Sequence, residues 1–135
     1  MPRSLSEVKG FMDRARLASF VSVGVNNEPH VVPVFFTYEN GKVYVQSDRG
    51  SVKVRNVLRN DNVAVAVYSG EEAVIVRGKA RVVESDEEFV RRIRDHVSKC
   101  GLRIDEYGRD SLGIPLFDKT VRCVIEVVPR KVMFW

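Results

Sequence analysis

Ser47 and Ser51 stand four residues apart, with Lys53 two further on, in the stretch SDRGSVKVRN that covers residues 47–56. Two hydroxyls and an ammonium so spaced suit the binding of an anion. Arg49 and Arg55 add charge on either side. The stretch follows a strand-like run over residues 42–46 and leads into a short helical pattern ending at Arg59. Gly50, free of the Cβ restriction, would let the chain turn sharply between them. The first backbone N–H groups of the helix would then point outward beside the hydroxyls and cations, which is how helix N-termini hold phosphates. The same residues could equally be a hairpin exit followed by a solvated basic helix, and spacing alone does not separate the two.

Other candidate groups are weaker. His30 has no carboxylate or nucleophile paired with it in sequence and reads as a structural histidine beside a turn. His96 and Cys100, four apart on a helix, offer half of a metal site with no second half in view. The two cysteines, Cys100 and Cys123, form no C-x-x-C, which argues against structural zinc and against a redox dithiol. They read as buried thiols, although sequence leaves a disulfide between them open. No hydrolytic triad is visible. Trp135 closes an apolar KVMFW segment and either plugs the core or a subunit interface, or stacks near a bound ring. The groups present would serve a protein that takes its chemistry from a phosphorylated, aromatic cofactor.

These residues need a scaffold. The 135 residues suffice for one unit with a real core, read as a single domain over 1–135. The net charge of +4 and pI near 9.3 are compatible with an anionic partner, from a phosphorylated cofactor to a nucleic acid. The charges are spread out and no aromatic-basic motif appears, which disfavours nucleic acid. No apolar run is long enough to span a bilayer, and MPRSLSEVKG lacks the apolar core of a signal peptide. A cytoplasmic protein with no membrane partner is the expectation.

Hydrophobic periodicity places a helix over residues 4–16, with Ser4 and Glu7 at capping-box spacing and Leu5, Val8, Met12 and Ala15 near one face. A strand follows over 17–25, then a turn at Asn26-Asn27-Glu28-Pro29. Residues 30–38, HVVPVFFTY, form a strand apolar on both faces: Val32, Val34 and Phe36 on one, Val31, Pro33 and Phe35 on the other. Such a strand must be covered twice, by a core on one side and a ligand or second subunit on the other. Pro33 cannot donate to a ladder, so an edge, bulge or break in pairing is expected there, where a flat ligand can reach backbone atoms. Asn40-Gly41 closes a hairpin.

Strands are further expected over 62–69 and 73–83, with Gly78 marking a bend or bulge. A helix over 85–100 carries a Ser85–Glu88 capping box and a buried stripe of Phe89, Ile93, Val97 and Cys100, while Arg91 to Arg94 read as a solvated face. A loop-rich segment over 101–119 precedes two last strands, 121–128 and 131–135, separated by Pro129. The fold class is mainly β with flanking helices, a six- to seven-stranded antiparallel barrel.

The run PHVVPVFFTYENGKVYVQSDRGSVKVRN resembles the core of the FMN-binding split-barrel family, the pyridoxamine 5′-phosphate oxidase-like proteins. The resemblance is most specific over residues 29–56 and extends by element order over most of the chain. It implies a split barrel that binds FMN at the interface of a homodimer. The strand with Val32, Pro33, Val34, Phe35 and Thr37 would run along the isoalloxazine ring, mainly through backbone groups. Gln46, Ser47, Ser51 and Lys53 would hold the ribityl phosphate. The true oxidases carry Arg where this chain has Val32, Lys where it has Thr37 and Arg where it has Val52. Their flavin-contacting Gln has no counterpart near Ala73, and their C-terminal substrate motif is absent. The resemblance therefore implies a small branch that does not oxidise vitamin B6. Its implied role is an FMN-dependent oxidoreductase passing hydride or electrons to an unidentified small molecule. The alternatives are an F420-dependent reductase of the same fold and a non-catalytic flavin- or haem-binding module.

Overall fold

The computed structural model describes residues 5–135, with the backbone alone for Leu5 and Ser6. The capping pair expected from Ser4 to Glu7 lies outside the described residues. Three α-helices and six strands follow in the order α1 (Leu5–Arg14), β1 (Leu17–Val23), β2 (Pro29–Glu39), β3 (Lys42–Asp48), α2 (Val52–Arg59), β4 (Asn62–Ser69), β5 (Glu72–Val82), α3 (Asp86–Cys100) and β6 (Arg122–Phe134). The strands close into an antiparallel barrel in the spatial order β1-β2-β3-β6-β5-β4.

The turns follow from residue type. Asn40 and Gly41 take φ values of 52° and 76°, the left-handed pair that a tight hairpin between β2 and β3 demands. Asn26 and Asn27 both sit at φ 60° in a short 3₁₀ turn after β1. The expected final pair of strands is instead one strand, β6. Pro129 stays in the ladder opposite Gly78, and the register slips by one residue between Arg77 and Gly78, so that Arg77 faces Lys131. A Cβ on Gly78 would lie 2.2 Å from the Val128 carbonyl oxygen. Glycine lets the proline-bearing bulge press against β5, and the strand continues through it.

Inward-facing residues Phe20, Phe36, Val43, Val45, Val65, Val67, Val74, Val76 and Ile125 fill the barrel. Val8, Phe11 and Met12 of α1 and Val54 and Val57 of α2 join the same core. Helix α3 packs outside, its Phe89 and Ile93 against Tyr44, Val83, Val124 and Leu116. Its start is capped as expected, the Glu88 N–H donating to Ser85 Oγ at 3.3 Å, and Gly101 ends it at φ 64°.

Arg92 was expected on the solvated face of α3 and is buried instead. It donates to the Glu39 carboxylate at 2.6 Å and to the Tyr44 hydroxyl at 2.9 Å, and its guanidinium stacks on the Tyr44 ring. Tyr44 in turn donates to Glu126, which Arg81 also engages. The buried charge is tolerated because Glu39 of β2 and Tyr44 of β3 engage its two terminal nitrogens, while its Nε stays buried without a partner. Both cysteines are buried and free. Among the described residues no helix is long and apolar enough to cross a membrane.

Candidate functional site

The barrel is closed, but one seam is short. Strand β2 pairs with β1 from Pro29 to Phe35, and with β3 only from Phe36 to Glu39. Over residues 29–35 the other edge of β2 has no strand beside it. Pro33 sits in this open part, opposite Ser19 of β1, as a residue without an N–H should. The side chains alternate as expected. Val34 and Phe36 are buried in the core and Val32 is half-buried against it, whereas Val31, Pro33 and Phe35 are exposed. Val31 is 61% exposed, so its apolar face has no cover within the chain.

Below the seam, β3 runs on to Asp48 and turns into α2. Ser51 N–H donates to the Asp48 carbonyl at 3.1 Å and closes the turn. Gly50 takes no positive φ, and a Cβ there would meet nothing within 4 Å. The sharp turn expected to need glycine is thus an ordinary one that most residues could make. Ser51 is the N-cap residue of α2, yet no side chain accepts from the first-turn N–H groups. Its hydroxyl lies instead 2.8 Å from that of buried Ser47. The first-turn donors at Val52, Lys53 and Val54 are therefore free of side-chain acceptors, the condition for an anion at a helix N-terminus.

Lys53 is half-buried and makes no hydrogen bond or ion pair with any described residue. Burial pushes its ammonium below the usual lysine range; the Asp48 carboxylate opposes that and the Arg122 guanidinium adds to it. Arg49 and Arg55, the other expected cations, are turned to backbone carbonyls. Arg49 Nε donates to Lys119 O at 2.5 Å and Arg55 donates to Gly50 O at 2.9 Å.

Ser47, Ser51 and Lys53 thus meet at one corner. Gln46 adjoins them in sequence but projects from the other face of β3, where its Oε1 is buried without a partner. Val32, Pro33, Val34 and Phe35 line the open edge. Thr37 is apart from both groups: it is buried, paired with Tyr44, and borders a separate cleft of about 910 Å³ formed with α1 and α3.

Sequence reasoning missed Arg122 and undervalued His96. Arg122 begins β6 opposite Asp48, to which its guanidinium is ion-paired, and its Nε is buried without an acceptor. His96 is buried on the inner side of α3, its ring edge-on to Phe35 at 6.2 Å. Burial, then the charges of Arg122 and Lys99, press its imidazole down to about 4. Neither residue sits in a motif; the β3–β6 register and the docking of α3 bring them to the corner. His30 lies elsewhere, opposite Ser22, with its Nδ1 buried and unpartnered. No group of three or more metal-binding side chains exists among the described residues, so His96 and Cys100 remain half a site. Trp135 is 79% exposed and plugs no core; its backbone pairs with Ala73 at 2.9 Å in both directions.

The corner and the open edge together offer what a phosphorylated flat ligand needs: one unpaired cation (Lys53), N–H groups free of side-chain acceptors, and an apolar strand with an unpaired edge. Gln46 Oε1 and Arg122 Nε are among the buried side-chain atoms without a partner in the described residues, as are His30 Nδ1 and Arg92 Nε elsewhere.

Comparison with known proteins agrees in fold. The family model for pyridoxamine 5′-phosphate oxidase matches residues 5–135. A conserved hypothetical protein from Mycobacterium tuberculosis superposes with a TM-score of 0.83 at 21% identity, over 100% of this chain and 86% of that one. The haem storage protein HutZ from Vibrio cholerae gives 0.76 at 16% identity, over 99% and 94%. A protein described as an F420 reductase gives 0.75 at 18% identity, over 98% of each chain. At these identities the likeness is one of fold. No curated protein matches the sequence.

Proposed function

The chain belongs to the pyridoxamine 5′-phosphate oxidase family of split barrels, and from that premise we propose that it is an FMN-binding flavoprotein. In this reading residues 1–135 act as one FMN-binding unit that works as a homodimer and transfers hydride or electrons to a small molecule. The observation that carries the reading is the open edge of β2 beside the unpaired donors of the β3–α2 corner. Ser47, Ser51, Lys53 and the first N–H groups of α2 would hold the phosphate. The backbone of residues 32–35 would align the ring.

When bound, FMN supplies the redox chemistry at ring N5; the chain has no side chain that does so itself. What its residues do is bind, orient and shield. Lys53 and the uncapped helix start neutralise the phosphate dianion. The backbone of the open edge donates to and accepts from the ring's polar rim. The exposed Val31, Pro33 and Phe35 keep water from the ring once a second subunit covers them.

Such a subunit has a surface to meet. The outer faces of five strands carry a continuous row, Pro33, Ser19, Ala66, Ile75 and Met133, set by the ladder registers. These side chains are half-buried or exposed and belong to neither core. Small residues at its middle make it flat enough for close approach by a copy of itself.

The decisive experiment is the visible spectrum of the purified protein before and after addition of FMN and desalting. Retained flavin bands are expected. A colourless, desalted protein would sink the flavin reading. The second reading, a deazaflavin F420 cofactor, has one support: a close structural neighbour is described as an F420 reductase. Retention of F420 fluorescence, with no retention of FMN, would select it. With the cofactor bound, reduction by NADH or NADPH faster than for free flavin separates an oxidoreductase from a storage module.

A further inference from the structure

Asn40-Gly41 is the one Asn-Gly step in the chain, and it forms the tip of the β2–β3 hairpin. The other five asparagines precede Asn27, Glu28, Val57, Asp61 and Val63. A side chain on the following residue shields the peptide nitrogen between the two, whereas glycine leaves it open. Both tip residues are exposed, and a Cβ on Gly41 would meet nothing within 4 Å. The Asn40 amide has no hydrogen-bond partner among the described residues. Rotation of Asn40 about ψ, which brings its Cγ against the Gly41 nitrogen, therefore disturbs only the closing Glu39–Lys42 pair.

That approach is the geometry of deamidation. The Gly41 backbone nitrogen attacks Asn40 Cγ, and a new N–Cγ bond closes a five-membered succinimide. The Cγ–Nδ2 bond breaks, and ammonia leaves with the proton that the Gly41 nitrogen gives up through solvent. Water then opens the ring at either carbonyl. Opening at Cγ gives aspartate; opening at the main-chain carbonyl gives isoaspartate, whose backbone runs through Cβ and Cγ. Nothing is oxidised or reduced, and water is the only co-reactant.

The added backbone carbon matters because of what flanks the tip. The β2–β3 ladder has only four pairs, from Phe36↔Val45 to Glu39↔Lys42, and the length of a two-residue loop sets its register. The Glu39 carboxylate accepts from buried Arg92 of α3 at 2.6 Å, and Lys42 lies 3.9 Å from the buried carboxylate of Glu126. Both neighbours of the tip thus end in the charged cluster under α3. A buried cation that loses its carboxylate is left uncompensated.

We propose that Asn40 is a site of spontaneous deamidation, and that its isoaspartyl form loosens α3 by drawing Glu39 away from Arg92. The site lies outside the anion corner and is independent of any bound cofactor.

The test holds the folded wild type in warm, mildly alkaline buffer and samples it over days. Isoaspartate is counted with a protein isoaspartyl methyltransferase and labelled S-adenosylmethionine, and peptide mass spectrometry assigns the residue. Isoaspartate at position 40 should accumulate in the wild type and stay at background in Asn40→Gly, which removes the amide and keeps a residue suited to the turn. Modification confined to the urea-unfolded chain, or to another asparagine, would overturn the proposal, because the turn would then be holding the amide away from the nitrogen.

The aged forms are next separated by chromatography and unfolded in denaturant. The isoaspartyl fraction should unfold at a lower midpoint than the aspartyl fraction, and Glu39→Gln should abolish most of that difference. Arg92→Met gives the same comparison if the Gln variant does not fold. Equal midpoints, or a difference that both variants leave intact, would overturn the loosening through Arg92.

Discussion

Lys53 is the side chain on which the phosphate reading rests most directly. It is half-buried, unpaired among the described residues and two residues into α2, so an anion there would gain a charge-assisted contact that no described group competes for. Lys53→Ala is expected to weaken FMN binding by about ten- to a hundredfold, measured by fluorescence titration at matched salt; unchanged affinity would move the phosphate elsewhere. His96 gives a second test, in stability. Its imidazole is pressed from 6.5 down to about 4 by burial and by Arg122 and Lys99. A base whose folded value lies below its unfolded one contributes stability that is full above the unfolded value and is lost as pH falls. Stability should therefore drop between pH 6.5 and 4 by up to about 3 kcal/mol from this group alone. His96→Phe should remove that component, visible as a flatter difference in denaturant midpoints across the window. Parallel wild-type and variant curves would reject it. Of the corner residues, Ser47, Ser51 and Lys53 were legible because they are contiguous. Arg122 was not, since nothing in RCVIEVV says which strand it will face.

The elements were largely legible, and the departures have local causes. Capping at Ser85 and the Asn40-Gly41 hairpin are matters of residue type within four positions, which is why they could be read directly. Arg92 broke the pattern because helical periodicity marks faces by polarity, and a buried arginine becomes tolerable only when Glu39 and Tyr44 come from other elements. The split of β6 at Pro129 was a sound local inference that the partner strand overrode. Gly78 admits the proline-bearing bulge against β5, so the ladder resumes beyond it. Gly78→Ala should accordingly cost about 3 kcal/mol or more, because the added methyl meets a backbone carbonyl and no flexible side chain. Chemical denaturation would measure it, and a cost below about 1 kcal/mol would mean that the bulge relaxes freely. Gly50, read as the turn's hinge, is dispensable on the same reasoning, since its φ is ordinary and its surroundings are open.

For the molecule entire, the double-faced strand is the link between sequence and assembly. Val31, Pro33 and Phe35 are exposed in the single chain, and the apolar row that continues across β1, β4, β5 and β6 is exposed or half-buried with them. If a second copy covers this surface, one charge at its β2 edge should separate the subunits without touching the core. Val31→Glu is expected to leave the monomer folded, to convert a dimer to a monomer in light scattering after size exclusion, and to release FMN with it. A dimer that persists would place the interface on another face. The sequence by itself determined the antiparallel barrel, its turns, the Ser85 cap and the nearness of Ser47, Ser51 and Lys53 to the start of α2. Those depend on periodicity and on residues a few positions apart. The tertiary structure alone decided where the seam opens, which cations stay unpaired, and that Arg122, Gln46 and His96 converge. Strand register and helix docking fix those, and both are settled by packing between residues far apart in sequence, such as Val43 and Val127, 84 positions apart in one ladder, a distance over which local pattern carries no information.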